Sequence, residues 1–344
     1  MPEQIGVLLV NLGTPDTPLP GDVQCYLIEF LMDGRVIDAP WLIRNYLVRA
    51  RIVPKRYKQS AKAYQDIWTA EGSPLKIYGK RVEKQLQEKL GSRYRVALAM
   101  RYRYPSIEKT LDALIQANVK KLIILPLFPQ YASATTGSIH QKVMEHLSKK
   151  LQIPEISFID GFATDPQTIS AFCAVAKPYD LNCYDHILFS FHGLPQQQLI
   201  KACQENGRRK AVCQTSACCE SLHADNWKCY AAQCHATAHA IAKQLQLEKS
   251  HYSIAFQSRL GKDPWIEPYT SNRIAHLAHK GTKRLLVFCP SFVCDCLETT
   301  AEIGMEYAAE FYKEGGEKLD LVPGLNDHPE WIAALEGLIK RASP

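Results

Sequence analysis

The sequence predicts an α/β protein made of two Rossmann-like, doubly wound domains, each with a four-stranded parallel sheet flanked by helices. Three observations carry this expectation. Short apolar, β-branched runs recur along the chain. They alternate with amphipathic helical patterns, as parallel βαβ units require. The length of 344 residues, at about 150 per domain, points to two domains.

Taken in order, the strand runs of the first half lie at 5–11, 94–100, 121–127 and 156–160, and those of the second at 186–191, 252–257, 284–289 and 319–322. Each is too short for a buried helix and is bounded by Gly, Pro or polar residues. Helical patterns at 75–90, 107–117, 139–151 and 231–245 fall between them. The expected division is 1–165 for the first domain and 166–326 for the second, with a final helix inside 327–344 packing back on the first. No internal repeat or low-complexity segment is visible.

Hydrophobic residues make up 46% and charged residues 22%, the balance of a globular chain with a full core. The net charge is +6, with the densest basic stretch at 44–58. That stretch reads as a solvated helix face, or as an attraction for a carboxylated ligand or an anionic membrane surface. No nucleic-acid-binding motif is present. No apolar run reaches the roughly 18 residues of a membrane span, and the N-terminus has no basic leader. The expectation is a cytoplasmic protein, with peripheral membrane contact left open. Twelve cysteines in such a chain do not read as a disulfide framework.

Chemistry concentrates where strands end. The run Ile187-Leu188-Phe189-Ser190-Phe191 is broken by His192-Gly193-Leu194-Pro195. This sets an imidazole at the carboxyl end of a strand, where open α/β sheets bind ligands. The run Leu285-Leu286-Val287-Phe288-Cys289 is broken by Pro290, and Asp295, Glu298, Glu302 and Glu306 follow at helical spacing. A base on one strand end and a carboxylate ridge after another suit a metal or proton-transfer site. Spacing alone also permits a core histidine and a solvated helix face. Thr135, Thr136, Gly137 and Ser138 open a helix and read as an anion cradle or as plain caps. The absence of G-x-G-x-x-G and G-x-x-x-x-G-K-[ST] argues against dinucleotides and nucleoside triphosphates. Loop aromatics Tyr102, Tyr104, Phe128, Tyr131 and Trp265 favour a flat, apolar ligand.

These pieces, in this order, resemble the ferrochelatase family nearly end to end: Val7 to Pro15, Gly72-Ser73-Pro74-Leu75, Ala99-Met100-Arg101-Tyr102, Leu125 to Tyr131, Thr135 to Ser138, Ser190 to Pro195, Phe256-Gln257-Ser258-Arg259 with Trp265 and Pro268, and Asp295-Cys296-Leu297-Glu298-Thr299. The resemblance implies two Rossmann-like domains with a porphyrin in the cleft between them, and insertion of ferrous iron, the substrate metal, into protoporphyrin IX. Coproporphyrin III, a sirohydrochlorin-type ring with cobalt, and a non-catalytic tetrapyrrole sensor are the rival readings. It implies His192 as base or iron ligand, Glu298 as its partner, and Glu302 and Glu306 as further metal or proton sites. A neutral imidazole suits both tasks. Tyr131, Thr135, Thr136, Ser138, Arg35 and Tyr102 are the expected porphyrin contacts, with Arg51 a further charged candidate. Buried carboxylates stacked along one face raise one another's pKa values, which a cation or proton path explains better than packing does.

Two features depart from the family. Arg103 stands where a small residue, often Gly, is common, so its side chain would narrow the cleft or bind a propionate. The other departure is a cysteine-rich insertion at 203–234, with Cys203, Cys213, Cys218, Cys219, Cys229 and Cys234. By resemblance to cluster-bearing bacterial members, Cys213, Cys218, Cys219 and Cys229 are the expected ligands of a two-iron, two-sulfur cluster, with Cys234 ranked fifth. Zinc and plain reduced thiols are the alternatives. Cys289, Cys294 and Cys296 read as core or loop thiols.

Overall fold

The computed structural model describes residues 4–205, 216–261 and 263–343. Four strands, β1 (Ile5–Gly13), β2 (Tyr94–Tyr102), β3 (Lys121–Pro126) and β4 (Glu155–Phe158), form one parallel sheet in the order β2-β1-β3-β4. A second parallel sheet holds β5 (His186–His192), β6 (Tyr252–Gln257), β7 (Arg284–Phe288) and β8 (Lys318–Leu321) in the order β6-β5-β7-β8. The two sheets have the same topology, as the alternation of strand and helix predicted.

The chain divides into two compact units. The first comprises the described residues up to Phe128, Ala132–Gly161 and the chain from Trp331 onward; the second comprises Pro129–Tyr131 and Phe162–Glu330. The first unit carries α1 (Pro20–Leu31), α2 (Trp41–Tyr46), α3 (Val53–Ile67), α4 (Pro74–Leu90), α5 (Ile107–Gln116) and α6 (Ser138–Leu147). The second carries α7 (Pro166–Ala176), α8 (Gln196–Glu205), α9 (Tyr230–Gln244), α10 (Thr270–His279) and α11 (Ala308–Lys313). The last helix, α12 (Pro329–Arg341), passes into the first unit, where Glu336 meets Lys89 of α4 at 3.5 Å. No helix among the described residues is long and apolar enough to cross a membrane.

Helices on both faces explain why the strands read as unbroken apolar runs rather than alternating ones. Leu8, Val10 and Ile124 pack with Ile107, Leu111 and Leu114 of α5 and Ile139 and Val143 of α6. In the second unit Leu188, Leu285 and Val287 pack with Ile274 and Leu277 of α10 and with Ile303 and Phe311. Each such side chain contributes about 1.5–3 kcal/mol on burial. Helix starts follow their caps: Ser106 Oγ accepts from Lys109 N, and Asp165 Oδ1 accepts from Thr168 N.

Register carries β1 to the functional end of its sheet. Ile5 opposes Tyr94 and Gly13 opposes Tyr102. At Gly13 φ is +121°, and a Cβ there would lie 2.1 Å from the Tyr102 carbonyl oxygen, so only glycine fits. Among the described residues, three segments wind as wide π-helical turns: Leu47–Ile52, Ser133–Gly137 and Leu297–Tyr307. Such turns are rare and concentrate at functional sites. Two of the three coincide with the expected anion cradle and the expected carboxylate ridge.

Candidate active site at the carboxyl ends of the second sheet

In the second unit the strand order reverses between β5 and β7, the topological switch point at which open α/β sheets bind ligands. His192 ends β5, opposite Gln257 at the end of β6. The chain can turn away at Gly193 because no side chain intervenes: a Cβ there would lie 2.8 Å from the Gln257 carbonyl oxygen. The loop after β7 supplies Ser291, whose Oγ accepts from His192 N at 3.3 Å. Tyr230, opening α9, donates its hydroxyl to the His192 carbonyl at 2.7 Å and lies 3.0 Å from Ser291 Oγ. The backbone of His192 is thus gripped from two elements.

The ring is oriented as well. His192 Nδ1 lies 2.6 Å from the Gly193 carbonyl oxygen. A carbonyl only accepts, so the neutral ring carries its proton on Nδ1 and leaves the Nε2 lone pair available for a proton or a metal ion. The rings of Trp265 and Phe292 flank it, with centroids at 6.3 and 6.1 Å. The imidazole is half-buried, which keeps it reachable.

Gln257 is the hub beneath this surface. Its Oε1 accepts from Ser190 Oγ at 2.8 Å, and its Nε2 donates to the Glu298 carbonyl at 2.8 Å and to Glu302 Oε2 at 3.3 Å. One buried amide therefore ties the β5 strand to the π-helical turn. Glu302 also accepts from Ser258 N at 2.8 Å, Ser258 Oγ at 2.6 Å and the Tyr307 hydroxyl at 2.9 Å. Ser258 adopts φ +66°, a conformation that non-glycine residues rarely hold without such anchoring. Burial, the Glu302 charge and the hydrogen bond to it push the Tyr307 hydroxyl well above its ordinary range.

The four acidic residues of the expected ridge separate in space and in task. Asp295 precedes the helix and accepts from Gly324 N and Asn326 Nδ2, at 2.8 and 2.7 Å, to pin that loop. Glu298 is half-buried at the start of the π-helical turn. Glu302 is committed to its four donors. Glu306 is exposed, and burial together with the Glu302 charge raises its pKa. Cys289, Cys294 and Cys296 are buried, and burial raises all three thiols, with the Glu298 carboxylate adding to the rise at Cys296. Among the described residues, no group of three or more His, Cys, Asp or Glu side chains is placed to hold a metal ion.

The expected porphyrin contacts divide by exposure. Tyr102 is fully buried, with its hydroxyl donating to Asp33 Oδ2 at 2.9 Å. Ser138 is also buried and donates to the same oxygen at 2.5 Å, while Arg101 meets Asp33 at 2.6 Å. Burial pulls the Asp33 carboxyl upward. The bonds from Ser138 and from the Arg35 backbone, with the Arg101 charge, outweigh it and hold the group below its usual range. Thr136 is buried too, and its Oγ1 has no hydrogen-bond partner. Tyr102 and Ser138 thus hold the Asp33 carboxylate, while the Thr136 hydroxyl is left unpaired. Thr135 is half-buried, and Arg35 donates to Gln141 Oε1 and Ser133 Oγ at 2.5 and 2.8 Å. Tyr131 is half-buried in the second unit.

Arg103 is paired within the first unit. It takes φ +68°, the conformation glycine favours, and its guanidinium is engaged by Asp16 and lies 3.9 Å from Glu29. An ion pair holds an arginine in the backbone geometry that glycine would adopt without strain. Trp265, read as a loop aromatic for a ligand, is also buried. Arg51 lies over the Tyr46 ring at 6.0 Å.

In the insertion, Cys213 lies outside the described residues. Cys218 and Cys219 stand on the short turn Ser216–Cys219, and Cys229 immediately precedes α9. Asn226 draws them together: its Nδ2 donates to the Cys218 carbonyl at 2.7 Å, and its own carbonyl accepts from Cys229 N at 2.7 Å. These three thiols do not by themselves present a formed metal cage, and no step of the chemistry below runs through a cluster. Cys234 is wholly buried inside α9.

Sequence reasoning named Gln257 within a motif but gave it no task, and it passed over Tyr230 and Ser291. A glutamine closing the apolar run of β6 was the visible signal for the first, because a buried amide must find partners. Tyr230 and Ser291 gave none, since their roles depend on α9 and the post-β7 loop meeting at His192.

Comparison with known proteins identifies the family. A family profile described as Ferrochelatase matches residues 4–343. Ferrochelatase from Coxiella burnetii (strain CbuK_Q154) is 44% identical over 98% of this chain and 94% of that protein. Ferrochelatase from Legionella pneumophila (strain Lens) is 46% identical over 97% of this chain and 98% of its own. Among solved structures, SirB from Bacillus subtilis with Fe3+ aligns with a TM-score of 0.56 over 98% of this chain and 95% of that one, at 10% identity, a likeness of fold alone.

Replacing Glu302 by Ala is expected to destabilise the protein by roughly 3 kcal/mol, because Ser258 N–H, Ser258 Oγ and the Tyr307 hydroxyl lose their acceptor together. Urea unfolding of the two proteins measures this, and equal midpoints would show that Glu302 does not hold Ser258.

Proposed function

The chain belongs to the ferrochelatase family, and from that premise we propose that it inserts ferrous iron into protoporphyrin IX to give protohaem, the last step of haem biosynthesis. The observation that carries the mechanism is the orientation of the His192 ring, with Nδ1–H spent on the Gly193 carbonyl and the Nε2 lone pair available. The reaction exchanges two pyrrole N–H protons for one Fe2+, so two protons must leave for each iron that enters. Nε2 accepts a pyrrole proton or receives the metal. Glu298 is its carboxylate partner, placed by the bond from Gln257 to its own carbonyl. Glu302 is a fixed anion that favours positive charge nearby, and Glu306, raised in pKa, accepts a proton readily at the outer end of the ridge. Tyr131, Thr135, Thr136, Ser138, Arg35 and Tyr102 are the proposed porphyrin contacts.

Anaerobic insertion assays with protoporphyrin IX and coproporphyrin III, run side by side, test the reaction and its substrate. His192→Ala is expected to lose at least about 100-fold in turnover, the range for removing a proton-transfer group, while still binding porphyrin. Glu298→Gln is expected to fall comparably. A fully active His192→Ala would overturn the assignment, and faster turnover of coproporphyrin III would replace the substrate.

The insertion is the holder of a two-iron, two-sulfur cluster if Cys213 completes the set with Cys218, Cys219 and Cys229. What supports this is the donor chemistry and the bonds that tie the Cys218 carbonyl and the Cys229 amide to Asn226. Protein purified without oxygen should then contain iron and acid-labile sulfide and show visible absorption, both lost in Cys219→Ser. Colourless, sulfide-free wild type would refute it.

A cytoplasmic enzyme with peripheral membrane contact is the reading of location. Its support is α2, which exposes Trp41, Leu42, Ile43 and Tyr46 beside the exposed basic side chains of Arg49 and Arg51. Leu42→Asp should then reduce co-sedimentation with vesicles containing anionic lipid. Wild type that stays in the supernatant at low salt would remove the idea.

A further inference from the structure

We propose that His235 and His239, one turn apart on α9, form a binding site for a divalent first-row transition ion such as Zn2+ or Co2+. The site is separate from His192 and from the cysteines of the insertion.

The two residues are four apart in the helix Tyr230–Gln244, so their side chains rise from a single helix face. Their ring centroids stand 6.0 Å apart, with the planes at 76°. A zinc ion lies about 2.0–2.1 Å from an imidazole nitrogen, which puts the centroids of two rings sharing one ion about 5–6 Å apart. The pair therefore already has the separation that a shared ion demands. Two histidines at this helical spacing are a recurrent zinc-binding unit.

The rings are also braced. His235 meets the Phe256 ring at 6.4 Å and His239 meets the Tyr252 ring at 6.3 Å, both on β6. Each imidazole is half-buried. Side chains restrained in this way lose less freedom when they take up a ligand. Packing against two aromatic residues of a strand gives no reason for imidazoles, since apolar side chains serve that purpose better.

The electrostatics point the same way. A metal ion binds the neutral imidazole. Burial lowers the pKa of both rings, with the His239 charge adding at His235 and the Lys249 charge adding at His239. The exposed Glu220 carboxylate acts in the opposite sense on both rings, and so favours a cation beside the pair. Imidazole donors suit zinc and its first-row neighbours, whereas magnesium and calcium take oxygen ligands. Two imidazoles are the protein ligands of this site, and water fills the remaining positions.

Cobalt is the probe, because its visible spectrum reports the donor atoms. The full chain, kept reduced and free of oxygen, is titrated with Co2+ and its bound metal is counted by equilibrium dialysis. The wild type is expected to bind one equivalent more than the double variant His235→Gln, His239→Gln. The difference spectrum should show the weak bands of nitrogen and oxygen donors and lack the strong near-ultraviolet absorption of thiolate ligands. The single variants His235→Gln and His239→Gln should each lose the same equivalent, which keeps the test open should the double variant not fold. Zn2+ added to cobalt-loaded wild type should displace that equivalent. Equal cobalt stoichiometry in the wild type and both single variants would overturn the site. So would a wild type whose bound cobalt shows thiolate absorption alone, which would place the ion on the cysteines.

Discussion

A primary amide in a protein interior has two donors and an acceptor to satisfy and no water to help. That constraint, met at Gln257, organises the active end of the second unit. Its oxygen takes the Ser190 hydroxyl from the strand that carries His192, and its nitrogen reaches the Glu298 carbonyl and the Glu302 carboxylate. In a low-dielectric setting each of these bonds is strong, and each lost one is costly. The spacing between the strand end and the π-helical turn is therefore set by hydrogen-bond length rather than by loop chemistry. The same logic repeats in the first unit, where the Asp33 carboxylate gathers Arg101, Tyr102 and Ser138 and shapes the turn at Ser133–Gly137.

Rigid backing surrounds the two groups on which the proposed reaction depends. His192 has its backbone held by Ser291 and Tyr230 and its Nδ1 held by Gly193, so only Nε2 faces outward chemistry. Glu298 is placed through its own carbonyl, and its carboxylate is half-buried. Glu302, by contrast, is fully engaged, and its negative charge acts at a distance. His192 thus stands at the end of a strand, while Glu298 and Glu302 stand on the π-helical turn.

The strand runs were legible because a parallel sheet covered on both faces demands continuous apolar sequence, and the eight observed strands fall within a few residues of the runs. His192 was legible because Gly193 and Pro195 cannot continue a buried strand. The ridge of Glu298, Glu302 and Glu306 was legible as spacing, but its division of labour was not. Asp295 left the ridge to pin Gly324 and Asn326, residues some thirty positions away. That Tyr102 and Ser138 meet at Asp33, and that Arg103 pairs with Asp16, was not legible, because the partners lie far apart in sequence.

Local sequence was enough for the elements, their order and the place where chemistry sits. Periodicity, breakers and strand-end position are properties of neighbouring residues, and neighbours along the chain stay neighbours in the fold. Assignment of tasks was another matter. Whether a hydroxyl faces a ligand or props a carboxylate, whether a glutamate is free or committed, and whether Lys228 stands in water or between Tyr131 and Trp227 all depend on groups far apart in sequence. Packing of helix on sheet brings those groups within hydrogen-bond reach, and the requirement that every buried polar atom find a partner then decides which side chains remain available.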